Sequence, residues 1–365
     1  MSESSSRRTP DPLGARRRWQ VALALALLLM VIGLGLLVRN WHAPPAAPQV
    51  NHSYAEALEQ AHGGRPGAAR VLYQQFTRTD LSDIRRAGLL AELVNYPGPQ
   101  ALKILRGDLK RPAPLVQQTA IQAVTAMLPE AQRSLLLGPL LEDPDPSVRF
   151  GAVEALLDLS PDDLGLYYGA LQEAARQYEQ ALNAQVPSAS RQLALSRLYI
   201  NDGAPQKAIE ALQVATRLEP DNLEAGLALV LLLDRQGQTD RSRQLLAQWL
   251  EKHPQSSMAQ HALGQWLLRH QQNEYALLAL TRAIELEPDN TAYRYDLAVA
   301  LHDLDQLEAA QRQLEDILKR EPADRRARIL LIRYWKDAGQ LQKVQVLLAE
   351  LEQLNADDPA LQQGL

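Results

Sequence analysis

Residues 218–222 read LEPDN, residues 252–256 KHPQS, residues 286–290 LEPDN and residues 320–324 REPAD. Pro220, Pro254, Pro288 and Pro322 therefore stand 34 residues apart. Proline has no N–H to give to a helix interior and its ring clashes with the preceding turn, so each one ends a helix. Two positions further on stand Asn222, Ser256, Asn290 and Asp324, residue types whose side-chain oxygen caps the first turn of the next helix. Each motif closes one helical unit and opens another. The period predicts a stack of equal helical units.

The positions between the prolines agree. In windows beginning at 189, 223, 257, 291 and 325, the seventh residue is Leu195, Leu229, Leu263, Leu297 and Leu331. The eighth is Ser196, Val230, Gly264, Ala298 and Ile332, and the twentieth is Ala208, Ser242, Ala276, Ala310 and Val344. The twenty-fourth is leucine throughout: Leu212, Leu246, Leu280, Leu314 and Leu348. Gly203, Gly237 and Gly339 mark the turn inside a unit, with Gln271 and Asp305 in their place in the middle units. In this pattern residues 189–358 resemble five tetratricopeptide repeats, each a helix–turn–helix. The bulkier Val230, Ile332 and Val344 predict looser packing in the second and fifth units. The run Asp357-Asp358-Pro359 predicts a polar cap on the last one.

Upstream, the spacing changes to 32. Residues 108–129 (DLKRPAPLVQQTAIQAVTAMLP) align with residues 140–161 (LLEDPDPSVRFGAVEALLDLSP), matching Val116 to Val148, Ala120 to Ala152 and Pro129 to Pro161. The Asp143–Arg149 run DPDPSVR, followed by Ala152 and Leu156, resembles a HEAT repeat. The fold expected is all-α: an α-solenoid of HEAT-like units over 52–161, a single linker helix over 162–188, five tetratricopeptide units over 189–358 and a tail over 359–365. Such units are stable only as a stack, each burying its neighbour's apolar face.

The chain of 365 residues is 46% hydrophobic but 5% aromatic, and it has no cysteine. Leucine and alanine in thin helical layers fit that balance. The missing cysteines exclude disulfides, thiolate metal sites, a cysteine nucleophile and covalently attached haem. Val21–Val38 is an unbroken run of 18 apolar or glycine residues, about 27 Å as a helix and enough for a bilayer core. Trp19 and Trp41 flank it, with five Arg before it and Arg39 alone behind. By the positive-inside bias this predicts a cytoplasmic tail (1–18), a transmembrane helix (19–41) and a repeat body in the bacterial periplasm. Residues 42–51 (HAPPAAPQVN) read as a proline-rich spacer. The net charge is −5 although the N-terminal arm is basic, so the body is acidic and no nucleic-acid partner is expected.

Motifs for catalysis are missing: no P-loop, no dinucleotide fingerprint, no nucleophile elbow and no zinc-protease pair. The chain reads as a non-enzyme without cofactor, metal or evident small-molecule substrate. Gly63-Gly64 in residues 61–67 (AHGGRPG) reads as a helix–helix turn, His52 and His62 as solvated surface residues, and Asp162-Asp163 and Asp357-Asp358 as helix caps. The tetratricopeptide resemblance implies a groove lined by the first helix of each unit. Here that gives Arg197, Asn201, Arg235, His261, Gln265, Arg269, Tyr295, His302 and Arg333, an Arg-rich lining with one exposed tyrosine. Such a lining suits an acidic or carboxylate-bearing protein segment. Leu193 and Arg197 stand where the chaperone-tail-binding clamp of this family needs Lys and Asn, so that ligand is disfavoured.

From about 52 to 358 the order of elements also resembles the C-terminal half of periplasmic multihaem c-type cytochromes, whose haem-bearing half is missing here. The function expected is a single-pass inner-membrane scaffold or adaptor that binds partner proteins. The alternatives are an assembly factor or chaperone for a periplasmic client, such as an apo-cytochrome or a secreted protein, and, remotely, an enzyme with an unrecognised site.

Overall fold

The 34-residue period is realised as five antiparallel helix pairs. In the computed structural model, which describes residues 52–362, these are α10 (Ala189–Asn201) with α11 (Pro205–Leu218), α12 (Leu223–Arg235) with α13 (Thr239–Lys252), and α14 (Ser257–Arg269) with α15 (Asn273–Leu286). Then come α16 (Thr291–Asp303) with α17 (Leu307–Arg320), and α18 (Arg325–Asp337) with α19 (Leu341–Leu354). The capping expectation holds at every unit boundary. Asn222 accepts from the Ala225 N–H at 3.0 Å, Ser256 from Ala259 at 3.1 Å, Asn290 from Tyr293 at 3.4 Å and Asp324 from Ala327 at 2.8 Å.

Inside each pair the chain reverses through one left-handed residue. Gly203, Gly237 and Gly339 take φ of 66°, 73° and 71°, and Gln271 and Asp305 are forced to 59° and 60° in the same place. Tight helix crossing explains Gly264, where an added Cβ would lie 2.6 Å from Leu280 Cγ. The pairs carrying Val230 and Ile332 touch over less of their backbone than the other three, as the bulkier side chains predicted.

The N-terminal part is also built of helix pairs: α1 (Tyr54–His62), α2 (Ala68–Gln75), α3 (Asp83–Leu93), α4 (Pro99–Asp108), α5 (Pro114–Met127), α6 (Glu130–Leu137) and α7 (Pro146–Leu156). Pro114 and Pro146 open equivalent helices 32 residues apart, and α3, α5 and α7 pack side by side. The single helix expected over 162–188 is instead broken. A short α8 (Pro161–Leu164) ends at Gly165, whose φ of 52° turns the chain before α9 (Tyr168–Asn183). Ser160, not the aspartate pair, caps α8, with Asp162 and Asp163 in its first turn. A final α20 (Pro359–Gln362) lies within the expected tail. No β-strand occurs among the described residues.

The two ends of this array meet. The Gly67 N–H donates to the Gln353 carbonyl at 2.7 Å, and the Asn355 side-chain amide donates to the Pro97 carbonyl at 2.6 Å. Ala323 and Leu354 belong to the same apolar cluster as Leu72, Leu93 and Tyr96. Gly64 sits so close to Pro322 that a Cβ there would stand 2.7 Å from its carbonyl carbon. The AHGGRPG turn is thus a helix–helix turn, as expected, and also half of a seam. Of the Asp357-Asp358 pair, Asp358 caps α20, as expected. Asp358 is fully buried, caps Ala360 and holds Arg325 through both carboxylate oxygens at 2.6 and 2.7 Å.

The predicted membrane span over 19–41 and the spacer over 42–51 lie outside the described residues. Among the described residues no helix is long and apolar enough to cross a membrane.

Candidate functional site

The candidate groove residues all sit on first helices, α10 to α18, because the period returns the same helical face in each unit. Five of the nine are engaged with an adjacent tetratricopeptide unit, and Asn201 with the N-terminal helices. Arg269 donates to Asp234 at 2.9 Å, and His270 meets the other oxygen of the same carboxylate at 2.8 Å. Burial pushes the Asp234 carboxyl up, but the bonds from His270 and Arg269 outweigh it and hold the group below the ordinary carboxylate range. His261 bonds to Asp296 at 2.8 Å and stacks on Tyr293, with ring centroids 4.7 Å apart. His302 stacks on Tyr334 at 3.9 Å and 7°, and burial, with the Asp303 and Tyr295 charges, pushes the Tyr334 hydroxyl up to about 12.

Tyr295, expected to be exposed, is half-buried under the Arg326 guanidinium, 3.7 Å from its centroid. Asn201 is spent on the N-terminal array, donating to the Leu157 carbonyl. Gln265 is half-buried. Arg197 is exposed and 3.8 Å from Glu224, while Arg235 and Arg333 are exposed and form no ion pair among the described residues. The face is thus a ladder: each first helix is tied to the next by a charge or a ring, and a sparse set of arginines is left over.

The partners in this ladder, Asp234, Asp296, Tyr293, Tyr334 and Arg326, were missed in the sequence. Their signal was there: Arg269 and His261 each have an aspartate 35 residues away in the neighbouring unit. Of the two N-terminal histidines, His62 is exposed beside Glu92 at 3.3 Å, and His52 offers its backbone carbonyl to Gln75.

The family model for the tetratricopeptide repeat matches residues 199–265 and 267–331. The chain carries tetratricopeptide repeats. The sequence matches no curated protein. Among solved structures, the chain is similar to MamA (41–end) from Desulfovibrio magneticus RS-1, at 20% identity over 46% of this chain and 94% of that one, with a TM-score of 0.36. It is similar to YrrB, described as a TPR protein with an unusual peptide-binding site, at 16% identity over 52% and 98%, with a TM-score of 0.35. Yeast Tom70 aligns over 86% of this chain and 63% of its own, at 15% identity and a TM-score of 0.47. The tetratricopeptide units, stacked as an all-α solenoid, make this a scaffold of the protein-interaction type.

Proposed function

We propose that this protein is a membrane-anchored periplasmic scaffold whose tetratricopeptide face holds an acidic or carboxylate-bearing segment of a partner protein. The observation that carries the reading is the ladder itself. Because Asp234, Asp296 and the stacked rings already hold their neighbours, the face is ordered before any partner arrives, which lowers the ordering cost of binding. Arg235 and Arg333, exposed and without an ion pair among the described residues, remain to meet carboxylates in bidentate geometry. The address rests on the sequence: the apolar run Val21–Val38, its flanking tryptophans and its Arg asymmetry.

The test is photo-cross-linking in intact bacterial cells, with the full chain carrying a photoreactive residue at position 235 or 333. A discrete protein adduct, lost when the other arginine is changed to Glu, is the expected result. Adducts no different from those of a label at exposed Arg217 would sink the groove reading. The address is tested separately, by whether external protease digests the repeat body in spheroplasts.

A further inference from the structure

Outside the tetratricopeptide units, one edge of the N-terminal array is where the chain enters, carries bare apolar side chains and is basic in an acidic body. The helices here run up and down in turn, so the starts of α1, α3, α5 and α7 share that edge. Side chains tie those starts together in a row. Gln75, ending α2, donates to the His52 carbonyl at 2.9 Å. Arg86 of α3 reaches the Phe76 carbonyl at 3.3 Å and Asp108 at 2.7 Å. Gln117 of α5 reaches the Leu109 carbonyl at 3.1 Å and Asp143 at 3.2 Å. The connecting loops are thereby held as one surface.

Two large apolar side chains stand on it. Ile84 and Leu115 are each the second residue of their helix, α3 and α5, and they are 75% and 46% exposed. Those two helices pack side by side. The fold has no need of an apolar residue at that place, since α7 puts Ser147 there. Beside the two tips, Arg78 is paired with Asp80 and Arg86 with Asp108. What remains between residues 77 and 115 on this edge is Arg85, Lys110 and Arg111 against Asp83. Towards α7 the edge turns acidic at Glu142, Asp143 and Asp145, which sets the limit of the surface.

The point of entry selects the occupant. Thirteen residues, 39–51, join this edge to the apolar run Val21–Val38, and a chain of that length spans at most about 45 Å. With the run in a bilayer, the tether keeps the edge at high effective concentration near lipid, so that weak contacts suffice. Apolar tips flanked by Arg and Lys match a headgroup layer: the tips enter the acyl boundary and the cations meet lipid phosphates. A protein interface draws its affinity from anchors seated in pockets, which protruding tips find only on a partner shaped to receive them. Lipid adapts to them. We propose that this edge rests on the lipid surface, with Ile84 and Leu115 inserted and Arg85 and Lys110 on anionic headgroups. This rests on the membrane anchor proposed above and adds which edge of the N-terminal array meets the bilayer.

Because the chain has no cysteine, one introduced thiol gives one labelled site. The full chain with Thr79→Cys carries an environment-sensitive fluorophore in the exposed loop before α3. It is reconstituted in vesicles of phosphatidylethanolamine and phosphatidylglycerol, with or without a nitroxide-bearing lipid. Blue-shifted emission and strong quenching are expected at position 79, and neither at Glu130→Cys, which opens α6 at the opposite edge. Ile84→Ser/Leu115→Ser and Arg85→Glu/Lys110→Glu, all at exposed positions, are each expected to lower the quenching by roughly threefold or more. Equal quenching at positions 79 and 130, no quenching at 79 in chains that float with the vesicles, or unchanged quenching in both double variants overturns the proposal and leaves the anchor standing. A label shielded in native membranes but unquenched in pure lipid also overturns it, by making the occupant a protein. Chains that fail to float with the vesicles refute the anchor, and this proposal with it.

Discussion

The side-chain amide of Asn355 donates to the backbone carbonyl of Pro97, 258 residues earlier in the chain. Asn355 is 3% exposed and follows the last full helix, while Pro97 precedes α4. With the Gly67–Gln353 backbone bond, this hydrogen bond fastens the fifth tetratricopeptide unit to the N-terminal array. Changing Asn355→Ala leaves the Pro97 carbonyl buried without a donor, at a cost of about 1–3 kcal/mol. The expected outcome is a lower urea midpoint and a larger radius of gyration by small-angle scattering. An unchanged scattering profile alongside a lowered midpoint would show that the bond stabilises the fold without holding the seam shut.

Gly64 and Gly203 separate two costs that glycine can hide. Both are left-handed, with φ of 56° and 66°, but a Cβ on Gly203 meets nothing within 4 Å while one on Gly64 strikes the Pro322 backbone. Gly203→Ala is expected to lose only the conformational strain, about 1–2 kcal/mol. Gly64→Ala adds the displacement of a packed backbone and is expected to lose clearly more in the same denaturant titration. Equal losses would mean that the seam gives way without resistance.

Gln271 and Asp305 occupy the turn that glycine holds in the other units, at φ of 59° and 60°. Replacing either with Gly relieves the left-handed strain of an L-residue, offset in part by the freer unfolded chain. Each substitution is expected to stabilise by up to about 1 kcal/mol. The gains should add, because the sites lie in different units. Calorimetry of the two single variants and the double variant checks both points.

Asp234 links stability to pH. Its carboxyl titrates below the ordinary range in the folded protein, since the bonds from His270 and Arg269 outweigh the burial that pushes it up. A depressed carboxylate stabilises fully above its unfolded pKa near 4, and that contribution is lost as the pH falls through the lower folded value. Asp234→Asn is therefore expected to cost about 1–2 kcal/mol at pH 7. The gap to the parent protein should narrow steadily below pH 4. A gap that stays constant down to pH 3 would assign the loss to packing alone.

Local features were legible in the sequence, and distant ones were not. Asn222, Ser256, Asn290 and Asp324 were readable as caps because a cap and its N–H lie three residues apart. Gln271 and Asp305 stood out because the period placed them where glycine belongs. Arg269, by contrast, looked like a free ligand residue, since a position in a repeat does not reveal which side chain of the next unit faces it; Asp234 does. Closure was hidden for a deeper reason. It depends on the small rotation between successive units summed over the whole stack, which no single residue specifies. Its one visible trace, the doubled glycine at 63–64, was readable only as a turn.

An open repeat array melts from its ends, because a terminal unit has one neighbour where an inner unit has two. Here the Gly67–Gln353 and Asn355–Pro97 bonds join the end of α19 to the starts of α2 and α4, so the first and last helix pairs each gain a second neighbour. Fraying then has no preferred starting point, and losing any one unit costs two interfaces. Hydrogen exchange should accordingly show α2 and α19 as protected as the middle of the chain, and the body should unfold as one cooperative block.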